Sequence, residues 1–116
     1  MASNNGFKQI VYPVKDLTKA KAIYRILLGV EPYVDGAYYV GFRIGEQEIG
    51  LDPNTQKQGI NGPIAYFEVN DIRKYLKTLT DTGATVQQDV RDVGKGMLIA
   101  SVKDMDGNII GLKQIP

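Results

Sequence analysis

The stretch VYPVKDLTKAKAIYRILLG, Val11–Gly29, carries the end of a strand, the start of a helix and a helix stop in one short run. Pro13 has no N–H to donate to a sheet ladder, so the strand over Phe7–Val14 must lie at an edge or finish there. Asp16 is placed as an N-cap, its carboxylate accepting from the first free backbone N–H groups. Leu17, Ala20, Ile23, Tyr24, Leu27 and Leu28 then recur at the three-and-four spacing of an amphipathic helix, and Gly29 supplies its C-terminal stop. The same grammar returns in IAYFEVNDIRKYLKTLTDTGA, Ile64–Ala84, where Ile64–Val69 reads as a strand and Asp71 as a cap. Ile72, Tyr75, Leu76 and Leu79 line that helix, and Gly83 ends it. VKDL at Val14 aligns with VNDI at Val69 at an offset of 55 (69 − 14).

Each helix is followed by three short strands. In the first half these are Val30–Val34, Tyr38–Ile44 and Gln47–Asp52, the last two a hairpin about Gly45-Glu46. In the second half they are Thr85–Val93, Met97–Lys103 and Ile109–Ile115. The closing strands also align, EIGLDP with IIGLKQ, at an offset of 61 (111 − 50). Between the halves, PNTQKQGING is a run of polar and turn-forming residues that reads as a linker. The expectation is an α+β fold of two βαβββ modules within a single domain, module one about 7–53, linker about 54–62 and module two about 63–116.

Composition removes several chemistries. With 14 Lys plus Arg against 13 Asp plus Glu, the formal net charge is +1, which gives no nucleic-acid footprint. No apolar run approaches the roughly 20 residues that span a bilayer, and MASNNGF lacks the basic and apolar regions of a secretory signal, so a cytoplasmic location is expected. There is no cysteine and no histidine, which excludes disulfides, thiolate chemistry and the commonest general base. Any catalysis falls to carboxylates, Lys, Tyr or an ion held by oxygen ligands.

The segments VYPVKDLTKAKAIYRILLG, FRIGEQEIGL, IAYFEVNDIRKYLKTLTDTGA and KDMDGNIIGL resemble the vicinal oxygen chelate superfamily, which includes glyoxalase I, bleomycin-resistance proteins and extradiol dioxygenases. The resemblance implies two modules that curl a mixed sheet into an open cup, with helices outside. Its metal-binding members carry a His or Gln in the first strand of each module and commonly a Glu in the last. Those positions fall here on Gln9, Gly50, Ile64 and Gly111, of which only Gln9 has a donor side chain. A catalytic divalent site generally uses three or more protein ligands, so no metal and no cofactor are expected.

Strand parity names the residues that would line the cup. Ile49, Leu51, Ile110 and Leu112 should face the helices, leaving Glu48, Gly50 and Asp52, and Ile109, Gly111 and Lys113, pointing inward. Glycine inside a strand leaves bare backbone, so Gly50 and Gly111 are read either as space for a ligand or as a bulge or bend. Phe7, Gln9, Val11 and Pro13 join from the first strand, and Ile64, Tyr66 and Glu68 from the fifth. A two-residue turn at Gly45-Glu46 sets Arg43 opposite Glu48, Gly41 opposite Gly50 and Tyr39 opposite Asp52. The candidate ligand-binding set is therefore Gln9, Tyr39, Arg43, Glu48, Gly50, Ile64, Tyr66, Glu68, Gly111 and Lys113.

Glu68 is the single weak candidate for a general base, with no second convergent group beside it. Arg43–Glu48 reads more simply as a cross-strand ion pair, and Asp104 and Asp106 as a turn rather than a calcium loop. Seven tyrosines, Tyr33, Tyr38, Tyr39 and Tyr66 among them, offer stacking surface for a planar ligand. The expected function is metal-free binding of a small organic, aromatic ligand by a homodimer. The alternative is a diverged lyase, isomerase or dioxygenase-type enzyme of the same superfamily. Neither nucleic acid nor membrane is an expected partner.

Overall fold

In the computed structural model, residues 4–116 are described, with side chains from Gly6 onward. The elements run β1 (Asn4–Pro13), α1 (Leu17–Leu28), β2 (Val34–Asp35), β3 (Val40–Ile44), β4 (Gln47–Asp52) and α2 (Pro53–Lys57). β5 (Ile64–Val69), α3 (Ile72–Asp81), β6 (Thr85–Asp92), β7 (Leu98–Lys103) and β8 (Ile109–Gln114) follow. The eight strands form a mixed, unclosed sheet in the order β2-β3-β4-β1-β5-β8-β7-β6. The chain is α+β, with the two βαβββ modules that the repeat implies. None of the helices described is long and apolar enough to cross a membrane.

The residues group into two compact units. One is Gln9–Ile64, and the other combines the residues up to Lys8 with Ala65–Pro116. In the first unit β1 pairs parallel with β4, placing Gln9 beside Glu48 and Val11 beside Gly50, while β3 and β4 form the antiparallel hairpin. Pro13 is the last residue of β1, which lies between β4 and β5 in the sheet, so the proline marks the strand's end rather than an edge. The Asp16 carboxylate accepts from the Lys19 N–H at 3.0 Å, and Gly29 closes α1 in the left-handed region at φ 71°. Leu17, Ala20, Tyr24 and Leu28, together with Ile49, pack on Val40, Phe42 and Leu51. The expected apolar stripe is narrower than the sequence suggests, because Ile23 and Leu27 stay 65 % and 70 % exposed.

The connection after Asp52 is not wholly irregular. Pro53–Lys57 form a single-turn helix, capped by the Asp52 carboxylate accepting from Asn54 N–H at 2.8 Å, with Pro53 at its first position. Asp followed by Pro is a helix-start signal that the polar composition of the segment obscures.

The second unit repeats the plan. β5 pairs parallel with β8, placing Tyr66 beside Gly111 and Glu68 beside Lys113. Val11–Gly50 and Tyr66–Gly111 are equivalent pairs under the two offsets of the repeat. Val69, Ile72, Tyr75, Ala100 and Leu112 form its buried core beneath α3. The Gln114 side-chain oxygen accepts from Ile72 N–H at 2.8 Å, so the closing strand helps to satisfy the first turn of α3.

Candidate functional site

The open face of the first module, opposite α1, is built around two facing glycines. Gly41 and Gly50 are register partners on β3 and β4, as the two-residue turn requires. Neither leaves empty space. A methyl carbon at Gly50 would fall on the Tyr39 hydroxyl and 2.8 Å from Tyr39 Cζ. One at Gly41 would lie 3.2 Å from Tyr33 Cε1 and 3.3 Å from Tyr39 Cε2. The two glycines therefore form the seat of two tyrosine rings. This corrects the reading of Gly50 as ligand space, and the unbroken β3–β4 register also removes the bulge reading.

Around that seat the polar groups connect. Gln9 Nε2 donates to Tyr39 Oη at 2.9 Å. The Tyr33 hydroxyl donates to Glu48 Oε1, and Arg43 Nη2 lies 3.7 Å from the same carboxylate oxygen. The Arg43 guanidinium also sits over the Tyr33 ring, 4.2 Å from its centroid. This stack is worth about 0.5–1 kcal/mol at a solvent-exposed site. Burial pushes the Tyr33 phenol up to about 12, helped by its hydrogen bond to Glu48 and that residue's charge, while Arg43 opposes the shift. Tyr39 is also raised, chiefly by burial and then by neighbouring Tyr33, against the hydrogen bond from Gln9. Both phenols stay protonated at neutral pH, Tyr33 donating to Glu48 and Tyr39 accepting from Gln9.

The ten candidates thus fall into groups by unit. Gln9, Tyr39, Arg43, Glu48 and Gly50 meet on one face of the first module. Ile64, at the start of β5, is buried and 3 % exposed. Tyr66, Glu68, Gly111 and Lys113 share one face of the second module, where the pattern of the first recurs. A methyl at Gly111 would lie 2.6 Å from Tyr66 Cδ1 and 2.7 Å from Cγ, so this glycine too is covered by a ring, again without a bulge.

Glu68 is half-buried opposite the buried Lys113 in register, an acid beside a base rather than a pair of convergent carboxylates. Asp104 accepts from Asp106 N–H, Asn108 N–H and Asn108 Nδ2, which hold its carboxyl below the usual range. It is a turn residue.

Two placements differ from strand parity alone. Phe7, grouped with Gln9 on the open face, packs edge-on against Phe67 at 6.0 Å, and Phe67 lies on the side covered by α3. Tyr33, which belongs to the cluster, stands outside the ten residues selected by parity because it precedes β2. Gly41 was the available signal for it, since a glycine facing another glycine leaves room for more than one ring.

The superfamily's metal positions do not fit an ion here. Gly50 and Gly111 lie under tyrosine rings, and Gln9 is engaged with Tyr39. Among the described residues no group of three or more His, Cys, Asp or Glu is placed to hold a metal.

Comparison with solved structures finds the same fold. Methylmalonyl-CoA epimerase from Mycobacterium tuberculosis aligns over 100 % of this chain and 91 % of its own, with a TM-score of 0.73 and 17 % identity. A glyoxalase/bleomycin resistance protein/dioxygenase superfamily member from Vibrio splendidus 12B01 aligns over 90 % and 94 %, with a TM-score of 0.71 and 14 % identity. The Mn(II)-bound glyoxalase from Novosphingobium aromaticivorans matches 98 % of this chain but 40 % of its own, with a TM-score of 0.74 and 15 % identity. At these identities the likeness is one of fold. No curated protein sequence matches the chain. The family model that does match spans residues 6–112, nearly all of both modules, and by that match the chain belongs to the Glyoxalase/Bleomycin resistance protein/Dioxygenase superfamily.

Proposed function

We propose that the protein binds a small planar, aromatic molecule on the open face of its first module, without a metal. The observation that carries this reading is the Arg43–Tyr33 stack. Its guanidinium side chain is 55 % exposed and Tyr33 is 44 % exposed, yet both are fixed by Glu48. A flat cation held in place on a ring presents a second flat surface at little further entropic cost. Tyr39 and Gln9 form the polar floor beside it.

The chain has no tryptophan and seven tyrosines, so tyrosine fluorescence reports ligand contact directly. A panel of planar aromatic compounds should quench it saturably, and Arg43→Ala and Tyr33→Ala should each weaken binding about tenfold, or 1.4 kcal/mol. Native mass spectrometry of protein taken from its host should show a retained planar molecule. Turnover of that molecule would replace binding by catalysis. A rise in Tm with nickel, zinc, manganese or iron that Gln9→Ala removes would overturn the metal-free reading. We further propose a homodimer, supported by Ile23, Ile26 and Leu27 standing 65 %, 82 % and 70 % exposed on α1. A monomeric mass by light scattering at micromolar concentration would refute that.

A further inference from the structure

Between α2 and β5 the chain passes through Asn61-Gly62-Pro63 before it enters the sheet at the buried Ile64. Asn61, Gly62 and Pro63 are all exposed and belong to no helix or strand. Neither Asn61 nor Gly62 has a hydrogen-bond partner among the described residues. A methyl carbon built on Gly62 would meet nothing within 4 Å. The Asn61 carboxamide therefore stands next to a peptide N–H that no side chain shields and no ladder or turn holds.

We propose that Asn61 is a modification site, deamidated without an enzyme by the backbone of its own neighbour. The Gly62 nitrogen attacks Asn61 Cγ. A new C–N bond closes a succinimide ring, the bond from Cγ to the side-chain nitrogen breaks, and ammonia leaves with the proton given up by the Gly62 N–H. Water then opens the ring at either carbonyl, leaving aspartate or isoaspartate. The isoaspartate form routes the main chain through Cβ and lengthens it by one carbon. The exposed segment between the modules has no contact at Asn61 or Gly62 that this would break.

Other positions of similar sequence are held differently. Asp106 also precedes a glycine, but the Gly107 N–H donates to the Asp104 carbonyl at 3.1 Å and is not free to attack. Asn108 donates its side-chain amide to Asp104 Oδ2 at 2.9 Å and precedes the β-branched Ile109. Asn54 lies in α2 and precedes Thr55, and Asn70 precedes the helix cap Asp71. Asn5 precedes Gly6, but that pair lies within β1. Conversion at Asn61 adds a carboxylate, taking the formal net charge from +1 (14 − 13) to zero (14 − 14). Loss of net charge removes the mutual repulsion that keeps copies apart. This site is independent of the Tyr33–Arg43 face and does not rest on it.

Full-length folded protein, kept warm for several weeks in mildly alkaline and in mildly acidic buffer, tests the assignment by peptide mass spectrometry. Trypsin releases Asn61 and Asn70 together in Gln58–Arg73, and Asn5 in Met1–Lys8, so each site is read separately. The mass gain of an amide-to-acid exchange should accumulate at Asn61 ahead of both, faster in the alkaline buffer, with isoaspartate among the products. Isoelectric focusing should show a more acidic species growing in step, with an unchanged Tm. Asn61→Gln should abolish that species. Gly62→Ala should slow it severalfold, and alanine fits because its methyl meets no neighbour. The proposal fails if Asn61 stays intact, or converts no faster than Asn70 in the same peptide. It fails equally if Asn5 converts first, or if Gly62→Ala leaves the rate at Asn61 unchanged.

Discussion

Gly50→Ala is the sharpest test of the seat described for Tyr39. The backbone at Gly50 lies outside the left-handed region, so alanine suits its conformation. Taken alone, the change should stabilise by about 0.5–1 kcal/mol through the unfolded chain. The new methyl, however, would fall on the Tyr39 hydroxyl and 2.8 Å from Cζ. The ring cannot slide toward Gly41, where the fit is already close. It must swing out, which breaks the 2.9 Å hydrogen bond from Gln9. Overpacking costs about 1–3 kcal/mol and the lost hydrogen bond about 1 kcal/mol.

The net effect should be a destabilisation of about 2 kcal/mol, or about 8 °C in Tm for a chain of this size. In a Tyr39→Ala background the clash is gone, and the same substitution should stabilise by about 0.5 kcal/mol. Urea unfolding followed by far-ultraviolet circular dichroism, run on all four members of the cycle, reads the coupling as about 2.5 kcal/mol. Equal effects of Gly50→Ala in the two backgrounds would refute the seat.

Gly111→Ala should be more damaging than Gly50→Ala, by about 1 kcal/mol. Its methyl would meet Cγ and Cδ1 at the root of the Tyr66 ring, which cannot yield without a change of rotamer, and the urea midpoints of the two variants give the order. Alkaline pH should destabilise the fold. The Tyr33 phenol titrates near 12 when folded and near 10 when unfolded, so its contribution is complete below pH 10 and lost as pH rises through 12. Tyr33→Phe should flatten that part of the stability–pH curve. Lys95 holds φ at 56° in the exposed Gly94–Gly96 turn, so Lys95→Gly should raise stability by about 0.5–1 kcal/mol, visible as a small rise in Tm.

Much of this arrangement was legible in the chain because strand parity and turn length are discrete. A two-residue turn at Gly45-Glu46 leaves one register, and it pairs Arg43 with Glu48 and Gly41 with Gly50. The Asp16 and Asp71 caps fixed both long helices to within a residue or two. Parity assigns a face but not a rotamer, so it left the volume over Gly50 open when the diagonal neighbour Tyr39 fills it. It also could not place Phe7, whose ring turns toward Phe67. Helical periodicity likewise marks an apolar arc without saying how much of it the sheet can cover. The module covers Leu17, Ala20, Tyr24 and Leu28, and Ile23 and Leu27 lie beyond its reach.

The parallel pairings β1 with β4 and β5 with β8 constrain the order in which each module can assemble. Within a module the first strand has no ladder partner of its own until the last strand is present. The β3–β4 and β7–β8 ladders join neighbours in sequence and can close on the microsecond scale of a hairpin, about 1–10 μs. Bringing the hairpin back across the helix to the first strand closes a much longer loop, and its entropy must be met before the parallel contacts repay it. The helix shortens that search by converting flexible chain into a rigid rod. In module two, Gln114 on the closing strand accepts the Ile72 N–H at the start of that rod, so completion of the ladder and anchoring of the helix are one event.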